Sequence, residues 1–414
     1  MNAPLIRKIS LLFVIFGVGF IAGQVTFSLD QRAKEVARRV SLVEGVVGYG
    51  QKETARRLEQ LAAIGYVDGT YDRQSELRGV LVHDRERTCP GVNFYSSRIR
   101  TEARLIDNDG VELHSWSFPG DDGWEHAELL PDGHVLVVVN GQGVLKLDLD
   151  SELEWRYETP AHHDLAVRAS TGDIYALANE RHPSEDIHPD VDIIEDIIVV
   201  LDPDGRFRER ISILDMMRRS PYAFLLASPQ HLPSDLEEGD NLHLDLLHTN
   251  HIQVLDGSLA DRSPLFREGN ILLSMRTINT IVIADPRTRQ VLWAWGPTNL
   301  YRQHHPTLLA NGHILIFDNG RRRSQIVELD PLSLEVVWRY APERGFLSQF
   351  RGSVQRLPNG NTLITESDKG YVFEVTPDGD TVWQFANPDV NQDKNRIAIW
   401  RMTRYPREAL GFLD

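Results

Sequence analysis

The chain has 414 residues and a formal net charge of −16, from 44 Lys+Arg against 60 Asp+Glu. With 41% hydrophobic and 25% charged residues it is neither disordered nor fibrous, and its acidity excludes a long nucleic-acid footprint, whose phosphates would go unneutralised. A single cysteine, Cys89, excludes an intrachain disulfide and any multi-cysteine zinc site.

Residues Ile9 to Phe27 form a nearly unbroken apolar run of 19, just long enough to span a bilayer core as a helix. A cleavable signal fits less well, because Phe20 stands two before Ala22 where a small residue is needed. The expectation is an uncleaved single-pass anchor over 1–29. Gly19 and Gly23 form a GxxxG pair, which leaves homo-oligomerisation open. Arg7 and Lys8 lie before the run, and Arg32, Lys34, Arg38 and Arg39 after it, so charge alone does not orient it. Over 30–75, Val36, Val40, Val43 and Val47 share a helical face, which predicts a membrane-proximal stalk.

From residue 76 onward, short β-branched runs alternate with Asp-Gly, Asn-Gly and Asp-Pro turns. One phrase recurs six times: a strand, a turn with Asp, and a strand usually ending in Trp-x-aromatic. Trp116, Trp155, Trp293, Trp338 and Trp383 fill the same slot, the last three spaced 45 apart. Hairpin phrases such as "LLPDGHVLVVVN" and "LLANGHILIFDN" alternate with it. Four strands per unit, repeated six times, predict an all-β, six-bladed β-propeller over 76–400, with a C-terminal tail at 401–414. The tryptophans are expected to pack between neighbouring blades.

Two insertions interrupt the repeat. Residues 179–196 are rich in acids and histidine, which suits a solvated loop better than any defined cation loop. Residues 212–247 begin as an amphipathic helix and are long enough for a lid or collar.

Several of the 15 histidines recur just before the hairpin strand, where a propeller's innermost strand starts. His126, His162, His163, His248, His304 and His305 occupy that slot, and Ser353 takes it in the last blade. Residues at one slot of successive blades converge on one axis. Converging imidazoles suit a metal site or acid–base and nucleophilic chemistry on a charged group. Arg276 and Asn279, read as part of the neighbouring innermost strand, favour an anion over a metal, since a guanidinium grips two oxygens and opposes a cation.

The segments "HHD", "HTN", "SMRTIN", "QHHPTLLANGHILIFDNG", "VQRLPNGNTLITES" and "VFEV" resemble the PAPS-independent arylsulfate sulfotransferases. The resemblance covers about 105 to 390. It implies transfer of a sulfuryl group from an aryl sulfate ester to a phenol by a ping-pong route through a transiently sulfated histidine. It implies His304 as that nucleophile, with His305 one residue out of register. His163 and His248 are implied as supporting histidines, with His162 as the alternative to the former. Asn250 and Arg276 are implied as sulfate holders. His126 and Asn279 complete the expected channel lining. No metal and no cofactor is expected, and the partners are the donor, the phenol and the membrane, not nucleic acid. The propeller is expected on the periplasmic or other extracytoplasmic side. The lack of a cysteine pair and the anchor depart from the family pattern. The other function class is a non-catalytic, membrane-anchored propeller serving as a binding or assembly module.

Overall fold

The computed structural model describes residues 76–120, 123–227, 243–343, 345–392 and 394–413. The expected anchor and stalk lie outside these residues. Among the described residues no helix is long and apolar enough to cross a membrane.

Strand β1 (Gly79–His83) comes first, then β2 (Val92–Ser97), β3 (Glu102–Asp107) and β4 (Glu112–Ser117). The second blade holds β5 (Trp124–Leu129), β6 (Val135–Val139), β7 (Gly143–Leu147) and β8 (Leu153–Glu158). The third holds β9 (Ala161–Val167), β10 (Ile174–Ser184), β11 (His188–Leu201) and β12 (Phe207–Ser212). A short helix α1 (Ile213–Arg218) follows, and β13 (His243–Asp245) pairs in parallel with β11. The fourth blade is β14 (Thr249–Val254), β15 (Ile271–Met275), β16 (Thr280–Asp285) and β17 (Gln290–Trp295). The fifth is β18 (His304–Leu308), β19 (Ile314–Asp318), β20 (Gln325–Leu329) and β21 (Val336–Tyr340). The sixth is β22 (Ser353–Arg356), β23 (Thr362–Glu366), β24 (Tyr371–Val375) and β25 (Thr381–Ala386), with β1 added outside β25. The chain ends with β26 (Ile399–Tyr405), which pairs with β2 as the innermost strand of the first blade.

The six innermost strands touch in a closed ring, in the order β26, β5, β9, β14, β18, β22 and back to β26. The fold is therefore an all-β, six-bladed propeller. Strands β1 and β26, from opposite ends of the described residues, add to the sixth and the first blade. The expected boundary at residue 400 falls inside β26, because the first blade takes its inner strand from the far end of the sequence. The 179–196 insertion is not a separate loop but lengthens the β10–β11 hairpin of the third blade.

Four of the recurring tryptophans, Trp116, Trp155, Trp338 and Trp383, hydrogen-bond to the blade that follows. Trp116 Nε1 donates to Gly133 O at 3.0 Å, Trp338 Nε1 to Pro377 O at 3.2 Å, and Trp383 Nε1 to Asn108 O at 2.8 Å. Each acceptor lies in a turn of the following blade. A recurring Asp shapes the turn between the third and fourth strands of a blade: Asp107 Oδ1 accepts from the backbone N–H of Asp109 and Val111, and Asp148 and Asp202 repeat the pattern. Trp383 is fully buried, stacks on Phe385 at 5.9 Å, and carries the Arg404 guanidinium 4.8 Å above its ring. Trp383→Ala is expected to cost about 3–5 kcal/mol by cavity formation. Denaturant unfolding measures it, and a loss under about 1 kcal/mol would contradict the role given to these tryptophans.

Candidate functional site

Neighbouring residues of a regular strand point to opposite faces of the sheet. Here that rule is broken at the axis in five of the six blades. The pairing of the innermost strand with its neighbour shifts between Trp124 and His126, Thr249 and His251, and His304 and Thr307. It also shifts opposite Ala176–Ala178, where β9 carries His162, His163 and Asp164, and on β26 near Trp400 and Arg401. A bulge inserts an extra residue and re-aims side chains. As a result consecutive residues share the channel: Glu125 with His126, His304 with His305, and Trp400 with Arg401 all line one cavity. His163, His248 and His305 hold left-handed backbone, with φ of 59°, 49° and 48°. Such conformations cost non-glycine residues about 1–2 kcal/mol each and persist only where the surroundings enforce them. In the sixth blade β22 pairs in regular register, and Ser353 sits there opposite Thr365.

Two cavities meet at the axis. The larger, about 290 Å³, is lined by His162, His163, Asp245, His248, Arg276 and Trp400 among others. The smaller, about 30 Å³, is lined by His126, His163, Asn250, His304, His305 and Arg401 among others. Thus eight of the nine residues singled out from sequence line one or both cavities. Asn279 lines neither. Its Oδ1 instead accepts from the Arg302 backbone N–H at 2.7 Å, which props the loop before His304. Arg276 follows β15, the second strand of its blade rather than the innermost, yet the hairpin returns it to the same mouth, where its N–H donates to His248 O at 3.2 Å.

The partners of each imidazole set its proton inventory. Asn319 Nδ2 donates to Ser348 O at 2.7 Å and to Arg351 O at 2.8 Å. Its Oδ1 must therefore face His304 Nδ1, 2.7 Å away, and Arg302 O lies 3.0 Å from the same nitrogen. Both are acceptors, so His304 carries its proton on Nδ1. Nε2 is left with its lone pair, buried and without a hydrogen-bond partner among the described residues. Burial, then the charge of Arg276, push the His304 pKa down to about 3.

The other rings are backed differently. His248 Nδ1 hydrogen-bonds Asp245 Oδ2. His251 Nδ1 lies 2.5 Å from Asp164 Oδ2, and Arg401 also donates to that oxygen at 3.0 Å. Burial opposes ionisation of Asp164, yet Arg401, His251 and His126 outweigh it and hold its pKa well below the usual range. Burial likewise opposes Asp245, and the His248 charge outweighs it. His162 Nε2 lies 3.4 Å from Asp196, which overcomes burial and raises its pKa. His162 Nδ1 meets His163 Nδ1 at 2.9 Å. Burial, then the charges of His248 and His162, hold His163 well below the ordinary imidazole value. A proton donated by His162 places the His163 proton on Nε2. Glu125 accepts from the His163 backbone N–H at 2.9 Å, and burial raises its pKa. Among the described residues no group of three or more His, Cys, Asp or Glu side chains is arranged to hold a metal ion.

Asn319→Asp tests the neutral backing of His304. A carboxylate beside the ring favours imidazolium, so the His304 pKa should rise from about 3 toward neutrality. The variant is expected to lose activity as pH falls through neutrality, where the wild-type ring stays unprotonated. A pH–kcat/KM profile checks this, with thermal unfolding read alongside to report any loss of fold. Superimposable profiles would contradict it.

Residues 126–388, more than half of the chain, match the arylsulfotransferase (ASST) family. The chain belongs to that family. The match begins at His126 and spans His162, His163, His248, Asn250, Arg276, His304, His305 and Asn319, and ends before Trp400 and Arg401. No curated protein matches the sequence. A crystal structure of a protein of unknown function from Bacteroides caccae is similar in fold at TM-score 0.50, with 14% identity over 76% of this chain and 98% of that one. A catalytically inactive virginiamycin B lyase from Staphylococcus aureus with quinupristin aligns at TM-score 0.43, with 11% identity over 75% of this chain and 88% of that one. At these identities the likeness concerns the fold alone.

Several channel residues were not singled out from sequence: Glu125, Asp164, Asp245, His251, Asn319, Trp400 and Arg401. Asp164 closes the "HHD" segment, Asn319 lies in "FDNG", and His251 follows "HTN".

Proposed function

We propose that this ASST-family chain transfers a sulfuryl group from an aryl sulfate ester to a phenol by a ping-pong route through sulfated His304. The observation that carries the reading is the contrast in backing: His304 faces the amide of Asn319, while His248 and His251 face carboxylates. An amide leaves a ring neutral and nucleophilic. A carboxylate makes a ring a proton carrier.

Nε2 of His304 attacks sulfur in line. By analogy with phosphoryl transfer the transition state is loose, with charge on three equatorial oxygens, so positioning and charge stabilisation do the work. Arg276 holds those oxygens and His163 donates its Nε2 proton to one of them, whereas Asn250, expected from sequence to share this task, has its Nδ2 committed to Gln303 O and offers them no donor. His248, backed by Asp245, protonates the departing phenolate and later takes the proton of the acceptor phenol. The Nδ1 proton held by Asn319 keeps the sulfated ring cationic, which makes it the better leaving group in the second half. Residues 9–27 would anchor the protein, with the propeller outside the cytoplasm.

Purified protein given an aryl sulfate and a phenol should form the new sulfate ester with parallel double-reciprocal lines. Intersecting lines would contradict the covalent route, and no product over buffer across many phenols would contradict transfer itself.

A further inference from the structure

The smaller cavity is lined by His304, the proposed nucleophile, but takes neither arene. At about 30 Å³ it admits no aromatic ring, but it has room for about two water molecules. Two of its lining residues present buried, unpartnered acceptors. These are Nε2 of His304 and Oδ1 of Asn250, whose own Nδ2 is committed to Gln303 O at 2.9 Å. Both side chains are more than nine-tenths buried. His305 lines the same chamber; its Nδ1 lies 3.0 Å from Val354 O and 3.4 Å from Val354 N, and the shorter contact assigns the proton to Nδ1 and the lone pair to Nε2. Once Nε2 of His304 carries the sulfuryl group, Asn250 Oδ1 and His305 Nε2 remain as acceptors, and water is a hydrogen-bond donor small enough for the space.

We propose that this chamber holds the water for a second activity, hydrolysis of the sulfated His304, which makes the protein an aryl-sulfate hydrolase when no phenol is bound. The inference rests on the proposed sulfated histidine. The water oxygen attacks sulfur, and the S–N bond breaks and returns its pair to Nε2 of His304. One water proton passes to Nε2 of His305. The product leaves as hydrogensulfate, which gives its remaining proton to solvent. His251, 4.6 Å from His305 between ring centres and hydrogen-bonded to Asp164, stands next in line to share that proton.

The test uses the full chain, an aryl sulfate and heavy-oxygen water, without a phenol acceptor. The expected result is a burst of phenol, a sulfated protein, and then slow release of sulfate carrying one heavy oxygen from the solvent. In His305→Leu that release should slow by about 10²-fold while the adduct persists; thermal unfolding confirms that the variant is folded. A sulfated protein that releases no labelled sulfate overturns the hydrolase inference and leaves the transferase reading standing. Wild-type release by folded His305→Leu overturns the role of His305 and its chamber. Absence of the adduct overturns both readings together.

Discussion

His304→Ala is expected to lower sulfuryl transfer by about 10⁴-fold or more, because the route loses its nucleophile and retains only binding and charge stabilisation. The cavity around it should persist. Asn319 keeps two backbone acceptors, Ser348 O and Arg351 O, whether or not the imidazole is present. The loss should therefore fall on kcat while aryl sulfate binding is retained, as read by initial rates and by equilibrium titration. A variant within tenfold of wild type would remove His304 from the chemistry.

Asp245→Asn is expected to act nearly as strongly through His248. The carboxylate fixes the His248 proton on Nδ1 and stabilises the ring when it takes a second proton. An amide in its place allows the wrong tautomer and offers no charge. The corresponding change in a serine-protease triad costs about 10⁴-fold in kcat, and a loss of about 10²–10⁴ is expected here. Donors whose phenols are poor leaving groups should suffer most, since they depend most on protonation. An equal effect on all donors, measured as kcat across a leaving-group series, would assign Asp245 a structural role instead.

How much of this was legible in the sequence follows from where periodicity holds. The blades announced themselves through Asp-shaped turns and through tryptophans that reach the next blade, because each repeat must solve the same packing problem. The first blade's inner strand was read as a tail. It has no repeat phrase of its own, and its partner β2 lies some 300 residues away in the chain. The histidine pairs were visible, but the choice between His304 and His305 was not, because strand alternation sends only one of two neighbours inward. The bulge sends both, so both line the chamber.

The backing groups escaped for a related reason. Asp164 and Asn319 sit inside segments already noticed, yet their partners, His251 and His304, are 87 and 15 residues distant. The packing of neighbouring blades brings Asp164 to His251, and the β18–β19 hairpin brings Asn319 to His304. The acid-rich 179–196 stretch, expected as a solvated loop, escaped likewise. Its charges pair across the lengthened hairpin and with β12, Arg181 with Asp192 at 3.0 Å, His182 with Glu195 at 2.7 Å and Arg210 with Glu180 at 2.8 Å, partners that composition alone does not reveal.

The central claim is that His304, held neutral by Asn319, carries the sulfuryl group. Intact mass of the protein after brief exposure to an aryl sulfate, with no acceptor, tests it most directly. The account predicts a gain of one sulfuryl group in wild type, absent in His304→Ala and discharged by adding a phenol. An unchanged wild-type mass during active transfer, or the same gain in His304→Ala, would contradict it.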